Sequence, residues 1–151
     1  MKTKFFDDLE VGESSRTAAR TITEADVVNF AGLSGDFNPI HVDEVYAQGT
    51  PFKQRICHGL LVLSVASGLF THCEMNLAIK ESLIALLDVQ WRFLKPVFPG
   101  DTVHVVAEVK EKKEVSKPER GIVKLERTVY NQRGEIVQQG ETALMLRKKP
   151  V

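Results

Sequence analysis

From Gly59 to Thr71 the chain runs through Leu60, Leu61, Val62, Leu63, Val65, Ala66, Leu69 and Phe70, with only Ser64, Ser67 and Gly68 between them. Apolar residues fall on nearly every side of a helical wheel, and such a helix must be buried all round. The run is too short to cross a bilayer, so protein has to enclose it. Four strand-like runs follow, at residues 83–93, 102–112, 121–131 and 135–146. Val103, Val105, Ala107 and Val109 alternate with polar partners, as do Val123, Leu125 and, less cleanly, Val129, which is the two-residue period of a half-buried strand. Asn131-Gln132-Arg133-Gly134 predicts a hairpin turn with Gly134 at positive φ, and Pro99-Gly100-Asp101 a second turn. Residues 110–120, charged and containing Pro118, read as an exposed connection, and residues 13–20 as a weakly patterned early strand. The expected fold is α+β: one domain, residues 1–151, with an antiparallel sheet wrapped around the apolar helix. A sheet with one helix leaves bare edges, and edges invite pairing. A homodimer, or a dimer of dimers, is therefore expected.

Ahead of that helix, Thr23 is a good N-cap, with Glu24 and Asp26 in the first turn and Val27, Phe30 and Ala31 as an apolar stripe. Gly32 and Gly35 favour termination, and residues 43–48 predict a short helix ended by Gly49. Twenty basic residues balance twenty acidic ones, so no electrostatic case for nucleic acid arises. No apolar leader is visible near Met1, and no membrane association is expected. Cys57 and Cys73 alone make no disulfide framework. A cytoplasmic setting, with both thiols free and buried, follows as the expectation.

The chemistry concentrates in Asp36-Phe37-Asn38-Pro39-Ile40-His41. The carboxylate and the imidazole lie five positions apart. On a helix, at about 100° per residue, that spacing puts them on different faces, and on a strand on opposite faces. An irregular turn at Asn38-Pro39 is needed to aim both at one point. Histidine titrates near neutrality and suits proton transfer, and an aspartate beside it can share a proton or orient a water. Taken singly, Asp36 and Asn38 are ordinary turn formers. Gly59, at the start of the apolar helix, offers an N–H without an intrahelical partner, able to hold an oxyanion. His58 reads as a buried structural residue. His41, Cys57, His58, His72 and Cys73 are ligand types, but their spacing matches no metal motif, and no metal site is expected.

These residues resemble a known family. Residues 34–43, Ser-Gly-Asp-Phe-Asn-Pro-Ile-His-Val-Asp, with Arg55-Ile56-Cys57-His58-Gly59-Leu60 and the run from Phe93 to Asp101, are similar to the MaoC-like hydratases, which include the R-specific enoyl-CoA hydratases. The resemblance covers about residues 21–140. It implies a hot-dog fold, a dimer with a continuous sheet, and reversible addition of water to a trans-2-enoyl thioester giving an (R)-3-hydroxyacyl thioester. It implies Asp36 and His41 as the catalytic dyad, the Gly59 N–H as oxyanion donor, Asn38 as a polar position of the motif and Ser67 as a pocket-lining position. No cofactor is implied, since coenzyme A (or an acyl carrier protein) arrives as part of the substrate. Two other functions compete: a hot-dog acyl-CoA thioesterase, and a non-catalytic acyl-thioester binding module.

Overall fold

The computed structural model describes residues 2–150. After a 3₁₀ turn at Phe6–Asp8 come the short strands β1 (Ser14–Arg16) and β2 (Arg20–Thr21), then α1 (Glu24–Ser34), α2 (Pro39–Val42), α3 (Glu44–Gln48), α4 (Gly59–Thr71) and α5 (Glu74–Ile79). Four long strands follow: β3 (Leu83–Phe93), β4 (Thr102–Glu114), β5 (Arg120–Tyr130) and β6 (Ile136–Arg147). All pairings are antiparallel, in the order β1-β4-β5-β6-β3, with β2 also on β4. The sheet wraps α4, whose Leu61, Val62, Ala66 and Phe70 are buried.

The alternating strand residues build the core as their period requires. Val103, Val105 and Val129 join Ile22, Val62 and Ala66 in one apolar cluster. Val109, Val123, Leu125 and Leu146 join Phe6, Phe70 and Ile79 in another. Gly134 turns the β5–β6 hairpin at φ 75° and Gly100 the β3–β4 connection at φ 96°, as expected of residues free of a Cβ clash.

Three expectations need correction. The helix apolar on all sides is not buried on all sides: Leu60, Ser64, Ser67, Gly68 and Thr71 are exposed along one stripe of α4. The sheet covers one side only, because its last strand, β3, ends the sheet. The charged stretch 110–120 is not mainly a loop; β4 runs to Glu114 and β5 begins at Arg120. Cross-strand pairs such as Lys124 with Glu111, 2.7 Å apart, let charged residues occupy a two-sided polar ribbon there. The early strand is split into β1 and β2, with Thr17 Oγ1 accepting the Val105 N–H at 2.9 Å where the ladder is interrupted.

Candidate active site

The Asp36–His41 loop is positioned by the elements on either side of it. Thr23 caps α1, its hydroxyl accepting the Asp26 N–H at 3.2 Å, and Gly35 ends α1 at φ 76°, a left-handed C-cap. Asn38 then starts a new turn. Its side-chain oxygen accepts the Ile40 N–H at 3.3 Å, and Pro39 is the first helical residue of α2, a position where its missing N–H costs nothing. The sequence-based irregular turn is therefore a helix break followed at once by a one-turn helix. Asp36 sits before the break and His41 on the turn after it.

This brings the two groups face to face. Asp36 Oδ2 lies 3.9 Å from His41 Nε2, close enough for a bridging water and too long for a direct hydrogen bond. The other carboxylate oxygen, Oδ1, accepts the Asn38 N–H at 3.2 Å. His41 Nδ1 is 2.8 Å from the carbonyl oxygen of Ile56. That acceptor requires the proton on Nδ1, so a neutral ring presents Nε2 as an acceptor toward Asp36. The His41 side chain is 12% exposed and that of Asp36 51%, so the imidazole is fixed and the carboxylate faces open space.

His58 is buried, as expected, and it does more than pack. Its Nε2 meets the Asp36 carbonyl oxygen at 2.9 Å, its ring stacks on His41 at 3.9 Å between centroids, and Phe30 closes the other side at 5.0 Å. Adjacent in sequence, Gly59 opens α4, and its N–H donates to no backbone carbonyl among the described residues. A Cβ at Gly59 would lie 2.7 Å from the Phe93 ring, so only glycine lets that ring seat against the helix start.

Gly59 is also on the wall of a cavity of about 650 Å³, shared with Phe52, Cys57, Leu60, Phe93 and Gln138. Asp36 and His41 are not among its lining residues; His58 links them to it through the chain. Cys57 on that wall is a poor nucleophile. Burial first, then the charge of Asp101, pushes its thiol up to about 12, which keeps it protonated at neutral pH.

Asn38 is a cap rather than a wall of the cavity, and Ser67 lies on the exposed stripe of α4, outside the cavity. Among the described residues, Asp36, His41 and His58 each offer one ligand atom, all within 4.8 Å. Sequence spacing gave no hint of that group, because a helix break and a 22-residue excursion assemble it. His41 Nδ1 and His58 Nε2 are already committed to carbonyl oxygens.

Sequence reasoning missed Gln138. Its Nε2 donates to the Gly59 carbonyl at 3.0 Å and its Oε1 accepts the Trp91 Nε1–H at 2.8 Å, tying α4, β3 and β6 together behind the cavity. A polar residue at an inward position of β6 was the available signal. Arg55 is likewise not a free surface charge. It binds Glu44 at 2.8 Å through Nε and Glu24 through its terminal nitrogens, and these partners, Glu24 first, hold its pKa above the ordinary value. It braces α1 against α3 around the loop.

The MaoC like domain family matches residues 8–131 of this chain. The chain belongs to the MaoC-like family. It is 36% identical over 142 residues to an (R)-specific enoyl-CoA hydratase of Rhodospirillum rubrum, covering 94% of this chain and 91% of that protein. It is 40% identical over 109 residues to protein MaoC of Klebsiella aerogenes, covering 72% of this chain and 31% of that much longer protein. Among solved structures, the monoamine oxidase regulatory protein from Archaeoglobus superposes with a TM-score of 0.93 at 37% identity, over 99% of this chain and 98% of that one. A more distant Mycobacterium tuberculosis protein, at 22% identity and a TM-score of 0.81, is described as a double hotdog fold. The MaoC-like chain thus has the hot-dog fold, α+β in class, and is an enzyme of the hydro-lyase class.

Proposed function

We propose that this MaoC-like protein adds water reversibly across the double bond of a trans-2-enoyl thioester, giving an (R)-3-hydroxyacyl thioester. The observation that carries the reading is the 3.9 Å separation of Asp36 Oδ2 and His41 Nε2, with His41 locked from behind by the Ile56 carbonyl. A water beside the pair, within hydrogen-bond reach of both, would donate to both acceptors and present its oxygen to C3. Asp36 and His41 share the proton traffic: one accepts the proton of the attacking water while the other helps return a proton to C2. The Gly59 N–H receives the thioester oxygen, on which negative charge collects as the double bond is polarised. Asn38 holds the loop in shape. Acid–base groups of this kind contribute roughly 10²–10⁴-fold each, and one oxyanion donor about 10²–10³-fold.

Coenzyme A, or an acyl carrier protein, arrives as part of the substrate, and a positioned water with two proton carriers needs no further cofactor. Residues 1–151 act as one domain, in the cytoplasm. No helix among the described residues is long and apolar enough to cross a membrane.

The test is loss of enoyl-thioester absorbance with crotonyl-CoA. Wild-type protein is expected to turn it over, and Asp36→Asn and His41→Ala to lose most of the rate. Thiol release from a saturated acyl-CoA faster than hydration would replace this reading with a thioesterase.

A second copy completes the assembly in this proposal. β3 ends the sheet, and along it Ile84, Leu86, Leu87, Val89 and Phe93 are 41–55% exposed. An apolar edge open on both faces is a template for pairing, and two such edges side by side give a continuous sheet. Sedimentation is expected to report a homodimer or a multiple of it, and Leu86→Lys to shift the mass to that of one chain. A wild-type monomer at micromolar concentration would refute this.

A further inference from the structure

The loop that carries Asp36 is exposed, and most of its bonds stay within it. The Asp36 N–H donates to Ser34 Oγ at 3.2 Å, and Asp36 Oδ1 accepts the Asn38 N–H at 3.2 Å. These bonds shape the loop without fixing it to the body of the protein. The fixing bond comes from His58, 22 residues on, whose Nε2–H donates to the Asp36 carbonyl at 2.9 Å.

His58 can hold a loop because it is itself held. Just before it, the Ile56 N–H donates to the Ile40 carbonyl at 3.2 Å and the Cys57 N–H to the Val97 carbonyl at 2.8 Å. Its own carbonyl accepts the Val62 N–H at 3.2 Å, which opens the hydrogen-bond ladder of α4. The residue is 2% exposed. Its ring is clamped between His41, at 3.9 Å and 29° from parallel, and Phe30, at 5.0 Å.

This placement has a cost. With the proton on Nε2, Nδ1 carries a lone pair, and that atom is enclosed without a partner. Buried polar atoms are nearly always satisfied, and a residue that merely filled this space would be apolar. A planar ring with one N–H at its edge meets a more exacting demand. Its face lies on His41, its edge reaches Asp36, and its main chain runs directly into the Gly59 amide.

We propose that His58 is a positioning residue that sets the proton-moving pair and the Gly59 N–H in one rigid frame. Its N–H fixes Asp36 and its ring face fixes His41. With one nitrogen committed and the other sealed, it takes no part in the proton transfers themselves. This role rests on the hydratase reading of the Asp36–His41 site and adds to it a residue that never meets the substrate.

Two substitutions separate the two contacts. His58→Phe keeps a ring and loses the donor; His58→Gln keeps an N–H at similar reach and loses the ring. Each is expected to lower kcat for crotonyl-CoA by about 10–10²-fold, the scale of a misplaced reacting group, with KM within about threefold. Each loss should also be redundant with the group that the contact serves. His58→Phe should cost less than about threefold further in Asp36→Asn, and His58→Gln less than about threefold further in His41→Ala, because residues acting as a unit are not additive. Losses that multiply in full overturn the proposal, as does a kcat within about threefold of wild type in both variants.

Proton NMR reads the placement without turnover. The His41 ring protons should lie upfield in wild-type protein and in His58→Phe, shifted by the stacked ring, and move downfield in His58→Gln. Unchanged His41 resonances in His58→Gln also overturn the proposal. A wild type that shows these shifts and does not hydrate crotonyl-CoA would sink the hydratase reading and leave the positioning of His41 standing.

Discussion

The two sides of α4 are built on opposite rules. On the closed side, Ile22, Val62, Val103, Val105 and Val129 are each 0% exposed, packed by the chain against itself. On the open side, Leu60 is 59%, Leu86 55% and Phe93 54% exposed, and the Asp36 carboxylate faces outward. The closed side holds the fold; the open side holds the reactive groups on short turns, braced by ion pairs and carbonyls instead of apolar burial. Stability and chemistry are thereby separated within one helix diameter, and substitutions should separate them too.

The strongest way to break this contrast is at the reactive pair. Asp36→Asn and His41→Ala should each lower kcat/KM for crotonyl-CoA by about 10²–10⁴-fold, with Tm unchanged in the first and lowered by only a few degrees in the second, which loses the Ile56 hydrogen bond. A large loss of Tm with either would mean the open side is also structural. The converse substitution is Leu146→Ala, at a fully buried position of the closed side. It should cost about 2–5 kcal/mol, visible as a Tm drop of roughly 5–15 °C, while turnover per folded molecule stays near wild type.

A pH titration sharpens the comparison at the boundary, where Cys57 belongs to the core cluster and also lines the cavity. Its thiol, ordinarily at 9.0, is pushed up to about 12 in the folded protein. The folded state therefore retains a proton that the unfolded chain gives up. Stability from this group is fully present below pH 9 and is lost as the pH rises toward 12, by at most about 4 kcal/mol. Denaturant unfolding of wild type against Cys57→Ala should show that extra slope only in the wild type. Parallel curves would place the thiol in contact with solvent.

Much of this was legible from residue order because the signals are local. The strand period from Val103 to Val109, the turn glycines 100 and 134, and the cap at Thr23 each act within a few residues. The Asp36–His41 pairing was legible for the same reason, since the proline break lies between the two. What was not legible is set at a distance. The exposed stripe of α4 depends on where the sheet stops, not on α4. The grouping of His58 with Asp36 and His41 spans 22 residues, and the role of Gln138 follows from strand register. Helix α5 was missed because its six residues, beginning Glu74-Met75-Asn76, are too few to show a period.

One detail of the loop carries further. The two oxygens of Asp36 have separate duties: Oδ1 is spent on the Asn38 amide, and Oδ2 alone is left for the imidazole side. Negative charge by itself therefore does not qualify a residue for this place. The side chain must be short enough to grip its own backbone two residues on while its second oxygen stays available. A glutamate, one methylene longer, would hold the charge and lose the grip.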